Sequence, residues 1–155
     1  MTYDPLVHVP DAHLASAIVW FDAFVCNVDR TARNVNMLIW HRKLWLIDHG
    51  ASLYFHHAWK VGDRHATTPF ALIKDHALLE YADALAEADA RMAPLLAPQK
   101  LANIVALIPD SWLDENVESG GRAAQREMYL NFFLQRLRSS GVFVEEAIRA
   151  RSSHL

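Results

Sequence analysis

The chain has 155 residues, 52% hydrophobic and 21% charged, which is enough to bury one sizeable core without covalent staples. A net charge of −3 and a pI near 6.3 give no general signal for nucleic acid or membrane binding. The single cysteine, Cys26, excludes an intramolecular disulfide and is expected to pack as a small buried residue, and the absence of a basic leader before an apolar run points to the cytoplasm.

Pro10 followed by Asp11 marks a helix start, and Leu14, Ile18, Phe21 and Val25 recur at helical spacing, so that face is expected to meet the core. The apolar run from Ala17 to Cys26 is broken by Asp22 and is too short to span a bilayer. Next come Asn27-Val28-Asp29-Arg30 and, with four residues between it and Asp29, Asn34. Val35 to Trp40 and Leu44 to Ile47 are apolar runs separated by His41-Arg42-Lys43, which predicts a tight β-hairpin. Such a hairpin returns Asp48 to the neighbourhood of Asn34, and Gly50 is expected to let the backbone turn sharply just after it.

Residues 51–70 show no clean period, with Gly62-Asp63 and Pro69 as breakers. From Lys74 to Arg91 the positions Ala77, Leu78, Tyr81, Leu85 and Ala88 predict one amphipathic helix. Further helices are expected from Gln99 to Leu107, from Arg122 to Arg138 with Gly141 closing it, and from Val142 to Arg151; a short helical turn runs through Trp112, Leu113 and Asn116. Residues 1–118 carry a balance of −6 and residues 119–155 one of +3. The arginines of the second part are expected to form a solvated helical face, and Trp40, Trp45, Tyr54, Phe55 and Trp59 to belong to the core. The histidines between 41 and 65 lack the spacing of a zinc site.

Phosphoryl transfer needs one carboxylate beside the acceptor hydroxyl and hard oxygen ligands for magnesium against the phosphates. Asp29 suits the first role, and Asn34 and Asp48 follow in the order of two metal ligands. An amide oxygen at Asn34 binds the cation without adding a second negative charge beside Asp29. Asn27, Arg30, Arg33, Asn36, His49 and Gly50 are candidates to support these three, Arg30 and Arg33 either by touching phosphates or by bracing the loop. The bland reading of the same residues is a set of turn formers whose side chains cap nearby backbone.

Phe21-Asp22-Ala23, Asn27-Val28-Asp29-Arg30, Arg33-Asn34, Asn36-Met37-Leu38 and Leu46-Ile47-Asp48-His49-Gly50 resemble the catalytic core of the HipA-like kinases and, more distantly, the phosphatidylinositol 3- and 4-kinases. The resemblance is strongest over residues 14–57 and looser from residue 70 onward. It implies a mainly α, α+β chain: one domain over 1–155 with the form of a kinase C-terminal lobe, a small hairpin carrying the catalytic and metal-binding loops at 27–50, and a helical remainder at 70–151. It also implies ATP- and Mg²⁺-dependent transfer to a Ser/Thr hydroxyl of a protein substrate, with Asp29 as catalytic base and Asn34 and Asp48 as metal and cofactor ligands.

Thr31 stands where related loops read D-R-H, and His49 where others read D-F-G. Residues 1–28 leave no room for a β-rich N-lobe with a Gly-rich loop and a phosphate-binding lysine. Two readings follow from that. In one, a separate N-lobe polypeptide or an upstream segment completes the ATP cleft; in the other, the chain is a catalytically silent kinase-fold binding module. An exposed lobe interface able to drive homo-oligomerisation is expected in both.

Overall fold

The computed structural model describes residues 1–59, 64–113, 115 and 120–153. Among them are five α-helices, α1 (Ala12–Val25), α2 (Leu85–Met92), α3 (Pro98–Ala106), α4 (Gly121–Arg138) and α5 (Ser140–Ser152), and one antiparallel hairpin of β1 (Met37–Trp40) and β2 (Lys43–Leu46). The chain is mainly helical, as the sequence suggests. No helix among the described residues is long and apolar enough to cross a membrane.

α1 starts where Asp11 caps it, the carboxylate accepting from the Leu14 amide at 3.1 Å. It ends at Cys26, which adopts the left-handed conformation at φ 53°. Between these caps the helix is the centre of the molecule and touches α2, α4 and α5. Small residues, Ala15, Ser16 and Ala23, let those neighbours approach, while Val19, Trp20 and Phe24 fill the space between. A helix surrounded in this way buries more than one stripe, so the expected face is only partly right: Ile18 is buried, Leu14 is exposed, and Phe21 and Val25 are half-buried. Cys26 is buried as expected, and burial pushes its thiol up to about 11.

The helix expected from Lys74 to Arg91 does not form as one element. Short 3-10 turns at Ala71–Asp75 and Leu79–Tyr81 precede α2, with extended backbone at His76. The reason is a competing use of the backbone. His76 pairs with Thr31 in a β-bridge, and the Ala77 amide donates to the Arg30 carbonyl at 3.0 Å. The Ala84 amide then donates to Ser16 Oγ at 3.0 Å, which fixes where α2 begins.

α3 runs one residue earlier than expected because Pro98 occupies its first turn. α4 ends at Ser139, and Gly141 lies inside α5 rather than closing α4. The turn at Asp110–Trp112 is present as a 3-10 segment, while Asn116 lies outside the described residues. The arginines of the C-terminal helices do not form a purely solvated face. Arg136 is 1% exposed, donates to the carbonyls of Ala23, His65 and Thr68, and sits 4.6 Å from the Phe143 ring centroid. Arg126 donates to Asp110, Arg149 to Glu146 and Arg151 to the Glu80 carbonyl.

In the hairpin, Met37 pairs with Leu46 and Trp40 with Lys43. The loop is therefore His41-Arg42 alone, with φ of 51° and 61°, positive at both positions as a type I′ turn requires. Residues 1–3 add a short third row: Thr2 bridges Leu38, the Tyr3 amide donates to the Met37 carbonyl, and the Ile39 amide to the Met1 carbonyl, the last two at 2.9 Å. Alternation turns Met37 inward and leaves Trp40, Trp45 and Ile47 exposed on the outer face, with the two indoles 5.6 Å apart. Phe55 is in the core and Trp59 packs against it, but Trp40, Trp45 and Tyr54 are not core residues as expected, because they lie on faces that no described element covers.

Candidate active site

The site begins from a charge in the middle of α1. Asp22 is fully buried, and both its oxygens are occupied. Oδ1 accepts from Asn27 Nδ2 at 3.0 Å; Oδ2 accepts from Arg30 Nε at 2.5 Å and from His76 Nε2 at 2.9 Å. The His76 ring is oriented from its other side, where Nδ1 accepts the Leu78 amide at 3.0 Å. Its proton therefore sits on Nε2 and points at the carboxylate. Burial would raise the Asp22 carboxyl, but hydrogen bonds from His76 and Arg30, with the positive charge beside it, outweigh burial and hold it below the usual carboxylate value.

Asp22 thus anchors the loop that follows. Asn27, tied to Asp22 by its amide nitrogen, accepts the Asp29 backbone N–H on its side-chain oxygen at 3.1 Å. Arg30 is 1% exposed and spans from Asp22 to the Asn36 carbonyl. Arg30 therefore braces the loop and is not open to a phosphate, whereas Arg33 is exposed. Thr31 and Asn34 exchange two backbone hydrogen bonds at 3.0 and 3.1 Å, and the Thr31 hydroxyl accepts the Asn34 amide at 3.3 Å. The residue that replaces a histidine in this loop closes it.

Asp29 is half-buried at the surface of this frame. Its Oδ2 accepts from Asn34 Nδ2 at 2.8 Å and from Asn36 Nδ2 at 3.0 Å. Among the described residues nothing donates to Oδ1, so that oxygen is able to accept a further hydrogen bond. With Nδ2 of Asn34 committed to Asp29, its Oδ1 faces away from that carboxylate, as a metal ligand needs.

The hairpin closes the arrangement. The Ile47 amide donates at 3.0 Å to the Asn36 carbonyl, the same oxygen that Arg30 reaches, so the strand leaving the hairpin lies beside the one entering it. Asp48 follows at once, exposed, with φ 51°. The turn expected at Gly50 is made at Asp48 itself: Gly50 does not share the positive φ, and a Cβ there would meet Asp48 Oδ1 at an ordinary 3.5 Å. Asp and Asn tolerate the left-handed region better than most residues, and Asn36, at φ 48°, makes the matching turn at the hairpin entrance. His49 is exposed and packs edge-on against Phe21 at 5.9 Å, and the Leu53 amide donates to the Val25 carbonyl at 2.8 Å. The last turns of α1 therefore support both loops, through Asp22 and through Phe21 and Val25.

The donor set suits a hard cation. Mg²⁺ is commonly held by one or two protein oxygens, with phosphate and water completing its shell, so a cluster of three acidic or imidazole ligands is not required, and none occurs among the described residues. The side chains missed in the sequence are Asp22 and His76. Asp22 carried a signal, a charge flanked by Phe21, Ala23 and Phe24 in an otherwise apolar helix. His76 carried none, since its partner lies 54 residues away.

Comparison with protein families agrees with the class that this loop, hairpin and acidic residue define. The family model described as HipA-like kinase matches residues 1–144. The chain belongs to the HipA-like kinase family. No curated protein and no solved structure gives a match.

Proposed function

We propose that this chain is the phosphotransfer half of an ATP- and Mg²⁺-dependent kinase acting on a Ser or Thr hydroxyl of a protein, with the form of a kinase C-terminal lobe. The observation that carries this reading is the pair of asparagine amides on one oxygen of Asp29. They fix the carboxylate and leave its second oxygen to orient the acceptor hydroxyl and take its proton. As the hydroxyl oxygen bonds to the γ-phosphorus, the bond from that phosphorus to the bridging oxygen breaks and ADP departs with the electron pair. Asn34 and Asp48 would hold Mg²⁺, whose role is to neutralise charge on the phosphates. Asn27, Arg30 and Asn36 keep the loop in register, His49 rests on Phe21, and Gly50 lies beside the Asp48 carboxylate without being required there for space.

The 155 residues contain no Gly-rich phosphate loop. We therefore assign the nucleotide-gripping lobe to another polypeptide or another part of the gene product. The exposed outer face of Trp40, Trp45 and Ile47 supports a docking role for the hairpin, towards that lobe or a second copy of the chain. A cytoplasmic setting fits a protein substrate and the single buried thiol. The same missing elements favour a second reading, a catalytically silent kinase-fold binding module.

Thermal unfolding with and without millimolar-scale Mg²⁺-ATP separates the two, because a ligand that binds only the folded state raises the midpoint by mass action. A rise that disappears with EDTA and in Asp48→Asn supports the phosphotransfer half. No rise in the wild type removes autonomous nucleotide binding and leaves the binding module as the better account.

A further inference from the structure

On the side of α1 away from the Asp22 cluster, a cavity of about 350 Å³ opens between α1, α3, α4 and the segment after α2. Phe21, Phe24, Leu96, Leu101, Ile104 and Phe133 form most of its wall, and no polar atom opens onto it. Trp20 also reaches the wall, but its one polar atom is committed elsewhere, donating to Asp89 Oδ1 at 2.7 Å. The volume lies within the roughly 300–1,000 Å³ of small-molecule sites. An apolar cavity of this kind gains dispersion contacts when filled and offers nothing to a buried hydrogen-bonding group.

The mouth differs from the interior. Ile104 is 51% exposed at the rim, and Lys100 lies four residues before it on α3, hence on the same helix face and exposed to solvent. We infer that the cavity binds a medium-chain fatty acid, the alkyl tail inside and the carboxylate at the mouth near Lys100. This goes beyond the kinase reading and does not depend on it. It has a connection to that site all the same: Phe21 forms part of the cavity wall and also packs against His49, next to Asp48.

The chain has four methionines, and Met92 lines the cavity whereas Met37 lies in the core and does not. Titration of methyl-¹³C-methionine protein with dodecanoate, below its micellar concentration, should move the Met92 methyl resonance and leave Met37 in place. Ile104→Glu, a change at an exposed rim position, should abolish the shift. Lys100→Glu should weaken binding roughly fivefold, the scale of one exposed ion pair. A stationary Met92 signal, or a shift that survives Ile104→Glu, would overturn the proposal. Unchanged affinity in Lys100→Glu would overturn the head-group placement. Movement of Met92 with protein concentration alone would assign the cavity to a second copy of the chain instead.

Discussion

Replacing Asp22 by asparagine keeps the shape of the side chain and removes its charge. In the wild type the carboxylate accepts from Asn27, Arg30 and His76 with no exposure to water. The substituted amide has one acceptor oxygen and one donor nitrogen, so it can satisfy Asn27 or the Arg30 and His76 pair, and it presents N–H to N–H on the other side. Arg30, itself 1% exposed, is left as a buried cation without its counter-ion. Breaking one partner of a buried ion pair costs about 3–5 kcal/mol, which is a large share of the roughly 5–15 kcal/mol that holds a domain folded. Urea unfolding should show Asp22→Asn less stable by about that amount. Arg30→Met added to it should cost much less than it does alone, since the unpaired charge is then gone. The wild-type carboxyl is held below its usual value, so the folded state binds that proton less readily than the unfolded state. Its contribution is complete above the ordinary carboxylate range of about 4 and fades as the pH falls below it. A loss under ~1 kcal/mol in Asp22→Asn, or strict additivity with Arg30→Met, would refute the account of Asp22 as the anchor of the loop.

Two further outcomes are expected. The Cys26 thiol, raised to about 11 from a starting value of 9.0, contributes about 3 kcal/mol that is present below pH 9 and is lost as the pH climbs through 11; ultraviolet thiolate absorbance should titrate near 11 in the folded protein, and a thiol reagent at neutral pH should label Cys26 only after unfolding. In the hairpin, Arg42→Gly should stabilise the fold by about 1 kcal/mol because Arg42 holds φ 61° in a two-residue turn; an unchanged or lowered unfolding midpoint would argue against that turn geometry.

The sequence makes the local part of the site readable and hides the part that holds it up. Asp29, Asn34 and Asp48 stand within one short stretch, and the alternation around His41-Arg42 specifies the hairpin between them. Asp22 and His76 meet across 54 residues, a contact that no local pattern encodes. The same contact explains why helical spacing from Lys74 to Arg91 misleads: Leu78, Leu85 and Ala88 are buried as a helix would bury them, yet His76 and Ala77 spend their backbone on Thr31 and Arg30. Leu14 and Phe21 mislead for a different reason, since a helix enclosed by three others has no single inward stripe. Exposed Trp40 and Trp45 show the limit of residue type as a guide to burial, because a hairpin's outer face is covered only if something packs on it.

The footing of Asp29 on α1 has a thermodynamic consequence. A loop that must be ordered by its ligand diverts part of the binding free energy into that ordering, at roughly 1–2 kcal/mol for each backbone residue fixed. Here residues 27–36 are fastened from below by Asp22 and by their own cross-links, so the geometry around Asp29 exists before any nucleotide or partner arrives. Contacts made to phosphate by a second lobe would appear almost undiminished as affinity. On the proposed kinase reading, a second lobe would then need to contribute little ordering free energy of its own to complete the cleft.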